Sequence, residues 1–157
     1  MAGARWRPRE NLHLTLRFFG EVTEPAADAL DGELAELAAR HHRFELRLKG
    51  AGAFGKSDPH TLWIGVHDNQ KLEKLAAACE RAARRVGLKP ETRKFSPHVT
   101  LAHLAGADLA AVQAFEAGQG LFETEAFAVE SFALLSSWTR KSAPSLYRLE
   151  ADYPFAL

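Results

Sequence analysis

Leu12-His13-Leu14-Thr15-Leu16 and Pro97-His98-Val99-Thr100-Leu101 are two versions of one pattern, and the likeness extends beyond them. Phe44-Glu45-Leu46-Arg47-Leu48 is echoed by Phe127-Ala128-Val129-Glu130-Ser131. Thr61-Leu62-Trp63-Ile64 is echoed by Ser145-Leu146-Tyr147-Arg148. These three pairs are offset by 85, 83 and 84 positions. Near-constant spacing across three landmarks implies an internal duplication, so the chain is expected to fold as two similar lobes. No linker-like stretch divides the halves, and residues 1–157 are read as one domain.

Around these landmarks the hydrophobic period alternates between two and 3.6. Leu12 to Phe18 reads as a half-buried strand, with Leu12, Leu14, Leu16 and Phe18 inward and His13, Thr15 and Arg17 on the other side. Thr23 is a candidate N-cap for an amphipathic helix over about residues 24–40, with Leu30, Leu34 and Leu37 on its stripe. Phe44 to Lys49 alternates again. Gly50, Gly52, Gly55 and Pro59 suggest a loop before a strand at Thr61 to Val66. From Asn69, a stripe of Leu72, Leu75, Ala76, Cys79, Ala83 and Val86 predicts a second helix stopped by Gly87. Pro90 to Pro97 connects to a strand at His98 to Leu101. A short helix over Asp108 to Ala117 and strands at Phe127 to Leu135 and Leu146 to Ala151 complete the chain. This intermingling predicts an α+β fold: a bilobal pseudo-two-fold duplication, with antiparallel sheets, helices packed outside and a central active-site cleft.

The repeat also shows an imbalance. A strand and a long helix precede His98, whereas only twelve residues precede His13. A chain that starts late relative to its own repeat is the expected explanation.

Alternation gives the motif its chemistry. Residues two apart on a strand share a face, so His13 projects with Thr15, and His98 with Thr100. A pseudo-two-fold would bring both pairs around one small volume. One neutral and one charged imidazole near pH 7 can take a proton from water and give one to a departing oxygen. Threonine hydroxyls can hold the non-bridging oxygens of a phosphate, where charge develops. A lone His-x-Thr would be a chance surface pair; two copies with matched apolar neighbours point to a site.

At these residues the chain resembles the 2H phosphoesterase superfamily, whose paired His-x-Thr-x motifs match His13-Leu14-Thr15-Leu16 and His98-Val99-Thr100-Leu101. The flanks narrow the resemblance. Arg5-Trp6, Glu10-Asn11 through Glu21-Val22, and Phe95-Ser96-Pro97 through Ala102 are similar to the RNA 2′,3′-cyclic phosphodiesterases long called 2′-5′ RNA ligases. Gly50 to Phe54 and Tyr147 to Leu149 fit as well. The resemblance implies hydrolysis of an RNA 2′,3′-cyclic phosphate to a 2′-phosphate without metal or other cofactor. It makes His13 the proton donor and His98 the proton acceptor, with Thr15 and Thr100 binding phosphate. The family usually begins with a strand and helix before the Arg-Trp segment. Members also often carry arginine where this chain has His103, which strand parity places on the side of Val99 and Leu101 if the strand continues.

Arg17, His103 and Tyr147 are further candidates for contact with substrate, each with a structural alternative. Arg17 shares the parity of His13. Arg5, Arg7, Arg9, Arg93 and Lys94 form local basic patches in a chain of zero formal net charge, and by themselves read as solvated loop charges. The expected partner is RNA with a 2′,3′-cyclic end, or a related nucleotide, with no obligate protein partner. One cysteine, no apolar run of membrane length and no signal peptide lead to an expectation of a cytoplasmic protein. The rival readings are a 2H enzyme acting on 2′,5′-linked oligonucleotides or cyclic nucleotides, an RNA-end binding module without turnover, and a histidine metal site.

Overall fold

The computed structural model describes residues Met1–Leu157. Its strands are β1 (Ala4–Trp6), β2 (Phe44–Leu46), β3 (Leu48–Phe54), β4 (Thr61–Val66), β5 (His98–Leu104), β6 (Phe127–Val129), β7 (Ser131–Trp138) and β8 (Leu146–Pro154). Its helices are α1 (Glu24–Ala39), α2 (Gln70–Arg85) and α3 (Leu109–Gln119), and a 3-10 turn spans Arg9–Asn11. The expected α+β class is what the chain adopts.

Helix ends follow capping chemistry. Thr23 Oγ1 accepts from the Ala26 amide at 3.3 Å, Asn69 Oδ1 from Leu72 at 3.0 Å and Asp108 Oδ1 from Ala110 at 3.3 Å. Asp108 is therefore the cap of α3 and not its first helical residue. Leu72, Leu75, Ala76, Cys79 and Ala83 of the expected α2 stripe are buried, Val86 is the half-buried C-cap, and burial pushes the Cys79 thiol up to about 12.

A four-stranded antiparallel sheet has the order β1-β5-β4-β3, β2 pairs with β6, and β7 pairs with β8. The larger core cluster draws Leu34, Leu37, Phe44, Leu46, Leu72, Leu75 and Cys79 from the first half of the chain and Tyr153 and Phe155 from its end. A smaller one, with Leu62, Ala102, Leu104 and Val112, lies between the four-stranded sheet and α3.

Pairing reveals the symmetry. Phe44 opposes Val129, Glu45 opposes Ala128 and Leu46 opposes Phe127. Because the repeat equates Phe44 with Phe127 and Glu45 with Ala128, a two-fold through the Glu45–Ala128 pair exchanges the other two pairs. The β3–β4 hairpin then corresponds to the β7–β8 hairpin.

Three expectations are corrected. Leu12 to Phe18 is not a strand: it bends at Leu16, and its one ladder contact is the antiparallel bridge from Leu14 to Val99. Alternation alone does not make a strand, which also needs a neighbour to pair with along its length. Its apolar parity breaks too, since Phe18 is 68% exposed while Leu14, Leu16 and Phe19 pack on the core. Second, Gly50 to Phe54 belongs to strand β3, not to a loop. The glycine at 52 is there for room, since a Cβ would lie 2.3 Å from the Trp63 ring. Third, Phe127 to Leu135 divides into β6 and β7, which pair with different partners.

Candidate active site

The Leu14–Val99 bridge joins the central residues of the two His-x-Thr motifs. They are 85 positions apart, so this pair also lies on the pseudo-two-fold. Antiparallel register at the bridge sets His13 opposite Thr100 and Thr15 opposite His98. Opposed residues share a face, as do residues two apart, which puts all four side chains on one side. His13 and His98 become diagonal neighbours, a relation that spans about 7–8 Å. Two imidazoles at that separation can flank a single phosphorus.

Each ring is held in the same way. Nδ1 of His13 lies 2.7 Å from the Asn11 carbonyl oxygen, and Nδ1 of His98 lies 2.7 Å from that of Ser96. A carbonyl only accepts, so both Nδ1 atoms carry hydrogen and Nε2 is left as the nitrogen that exchanges protons. Aromatic walls complete the seats. The Tyr147 ring sits 4.8 Å from the His13 ring, and Phe54 makes an edge contact with His98 at 4.9 Å. Burial lowers the pKa of His13 below its ordinary value. The bond to the Asn11 carbonyl opposes that shift, while the charges of Arg7 and His98 add to it. His98 is thus close enough for its charge to be felt at His13.

The second motif continues into a bulge. Opposite β4, Leu62 pairs with Ala102 and Trp63 with Thr100, so Leu101 is the extra residue. One extra residue reverses parity. Ala102 and Leu104 turn into the core under α3, and His103 joins the face of His98 and Thr100. Parity without the bulge had placed His103 on the opposite side. Here it opposes Arg5 of β1, and its Nε2 lies 3.2 Å from an Arg7 nitrogen. The same Arg7 nitrogen donates to the Tyr147 hydroxyl at 3.3 Å, with the guanidinium carbon 5.5 Å from the centre of that ring. Arg7, read from the sequence as a solvated charge, therefore links His103 to the residue beside His13. A three-residue strand offers too short a pattern to reveal β1, but the i, i+2 spacing of Arg5 and Arg7 was a usable signal.

Arg17 is not brought to this cluster. Its Nε donates to Glu80 of α2 and its Nη2 to the Lys89 carbonyl at 2.7 Å, with the side chain 8% exposed. The expectation of a substrate contact is replaced by an anchoring role for the motif segment. Thr15 is exposed and Thr100 half-buried. No group of three or more His, Cys, Asp or Glu side chains is gathered as a metal site would require.

A profile described as the 2′-5′ RNA ligase superfamily matches residues 2–139. The chain belongs to this superfamily. Among its members, the RNA 2′,3′-cyclic phosphodiesterase of Aeropyrum pernix is 37% identical over 148 residues, covering 90% of this chain and 83% of that protein. The enzyme of the same name from Aquifex aeolicus is 30% identical over 152 residues, covering 95% and 80%. The crystal structure of E. coli LigT complexed with 3′-AMP superposes with a TM-score of 0.74 at 26% identity, covering 99% of this chain and 83% of LigT. The bilobal fold, with its motifs at the centre, is thus the fold of this superfamily.

Proposed function

We propose that this protein hydrolyses RNA 2′,3′-cyclic phosphate ends to 2′-phosphates through His13 and His98. The observation that carries the reading is the Leu14–Val99 bridge, because it puts both histidines and both threonines on one face. The names of the relatives supply the substrate class. In the forward reaction His98 Nε2 takes a proton from water, whose oxygen attacks phosphorus. The bond from phosphorus to the 3′ oxygen breaks, and His13 Nε2 gives that oxygen a proton. The product is a 2′-phosphomonoester beside a free 3′ hydroxyl. Thr15 and Thr100 donate to the non-bridging oxygens as charge builds on them.

The lowered pKa of His13 favours a neutral ring in the free protein. To act as donor it must gain a proton when the phosphate anion arrives, since a nearby negative charge stabilises imidazolium. The same observation supports a second reading with the two roles exchanged. A cyclic substrate with sulfur at the 3′ bridging position separates them, because a thiolate departs without a proton. Replacement of the donor is tolerated on that substrate, and replacement of the acceptor is not.

The primary test is end-group analysis of a cyclic-ended oligonucleotide incubated with the protein and a chelator. A 2′-phosphate product is expected. His98→Ala should lower turnover by about 10²–10⁴-fold with the circular dichroism spectrum retained. Unchanged turnover would remove His98 from the mechanism. Activity confined to 2′,5′-linked oligonucleotides or cyclic nucleotides, or tight RNA-end binding without turnover, would replace the reading.

A further inference from the structure

We infer that Arg7 is a catalytic residue of this site: its guanidinium, oriented by His103 and Tyr147, binds the non-bridging oxygens of the reacting phosphate. The inference rests on the reading of the cleft given above, and adds to it a cation outside both motifs.

The Arg7 guanidinium is held by uncharged groups. Its partners are a histidine Nε2 at 3.2 Å and a phenol oxygen at 3.3 Å, both reached from one terminal nitrogen. Neither is a carboxylate, and Arg7 takes part in none of the ion pairs of the molecule, unlike Arg17, Arg40, Arg43, Arg47, Arg84, Arg85 and Arg93. The group is fixed in position without having its charge neutralised. Nε and the other terminal nitrogen keep their donors, so the guanidinium can still give single charge-assisted bonds to the oxygens of an anion.

Placement supplies the second half. Arg7 leaves β1, whose Arg5 opposes His103, and its amide donates to the Leu101 carbonyl at the bulge, 2.7 Å away. Its side chain then reaches Tyr147, whose ring lies against His13. The arginine thus bridges the lobe that carries His98 and the one that lines His13. The bulge at Leu101 makes the arrangement possible, because it turns His103 onto the cleft face as the acceptor. His103 has to be neutral for its Nε2 to accept from arginine. Burial, and then the charges of Arg7, Arg5 and His60, lower its pKa in that direction. His103 is accordingly a positioning residue for Arg7.

The test uses the full-length chain, inorganic phosphate as probe, and two substrates: a 2′,3′-cyclic mononucleotide and a cyclic-ended oligonucleotide. Arg7→Gln should weaken phosphate binding, measured by calorimetry, about tenfold or more. It should lower kcat/KM about 100-fold on both substrates alike. Arg7→Lys, which retains the charge without the guanidinium that His103 and Tyr147 orient, should fall between Arg7→Gln and wild type. His103→Leu should lose part of the rate, and His103→Gln, which restores an acceptor, should recover most of that loss. Equal phosphate affinity in wild type and Arg7→Gln overturns the proposal whatever the activity. So does a loss confined to the oligonucleotide, which would assign Arg7 to a neighbouring phosphodiester. If Arg7→Gln does not fold, the Arg7→Lys and His103 comparisons decide by the same criteria. Weakened phosphate binding in a protein that hydrolyses no cyclic phosphate would keep Arg7 and discard the reaction.

Discussion

His13 and His98 are held alike but surrounded differently, and the difference is measurable. Both Nδ1 atoms are tied to a carbonyl two residues back, which leaves Nε2 free in each ring. His13 combines burial with the charge of a nearby arginine, and its pKa falls. As the proposed donor it must be protonated, so the alkaline limb of kcat/KM, which reports the free enzyme, should lie below the ordinary histidine value of about 6.5. Bound phosphate raises the pKa, so the same limb in kcat should move to higher pH. A pH series on a cyclic-ended substrate checks both, and coincident limbs would contradict the electrostatic account. At this scale the sequence brought out the two histidines whose motifs the fold bridges, and it misled about the surroundings of the arginines. Arg17 had the right parity and is held by Glu80, whereas Arg7 looked like solvated charge and lies beside His103 and Tyr147.

Glu80 shows how whole elements are placed around the site. From α2 it accepts from Arg17, just past the first motif, from Arg84 Nε at 2.9 Å, and from the Glu91 amide at 3.0 Å in the segment leading to the second motif. One carboxylate thus ties both motif-bearing segments to the same helix. Burial alone would raise its pKa, but the bonds from Arg17, Arg84 and Glu91 prevail and hold it at about 2. A depressed carboxylate stabilises the fold above its unfolded pKa near 4.5, and that contribution is lost as pH falls through about 2. Glu80→Gln should therefore destabilise the protein by about 1–3 kcal/mol at pH 7. The gap from wild type should narrow between pH 4.5 and 2 in denaturant titrations. A constant gap over that range would mean the charge is not what matters. The bulge at Leu101 belongs to this scale too. Nothing in the run His98 to Leu104 announces it, because a bulge is defined by what the partner strand does opposite it.

Across the whole molecule, the two lobes share their supports. β2 and β6 come from different halves and pair on the pseudo-two-fold, and the larger core cluster mixes helices of the first half with Tyr153 and Phe155. The Tyr153 hydroxyl also donates to Asp31 of α1 at 2.6 Å. Lobes that share a sheet pair and a core should not unfold separately. Tryptophan fluorescence, reporting Trp6, Trp63 and Trp138, and far-ultraviolet circular dichroism should give coincident denaturant transitions. Two separated transitions would show independent lobes. Duplication, helix positions, fold class and the paired His-x-Thr motifs were legible in the chain, since each is a matter of local period, capping chemistry or repetition. The bridge that unites the motifs, the bulge that turns His103 and the placement of Arg7 beside Tyr147 were not. Each depends on what a distant segment places opposite a residue, and such contacts between remote parts of the chain leave no periodic trace in its own residues.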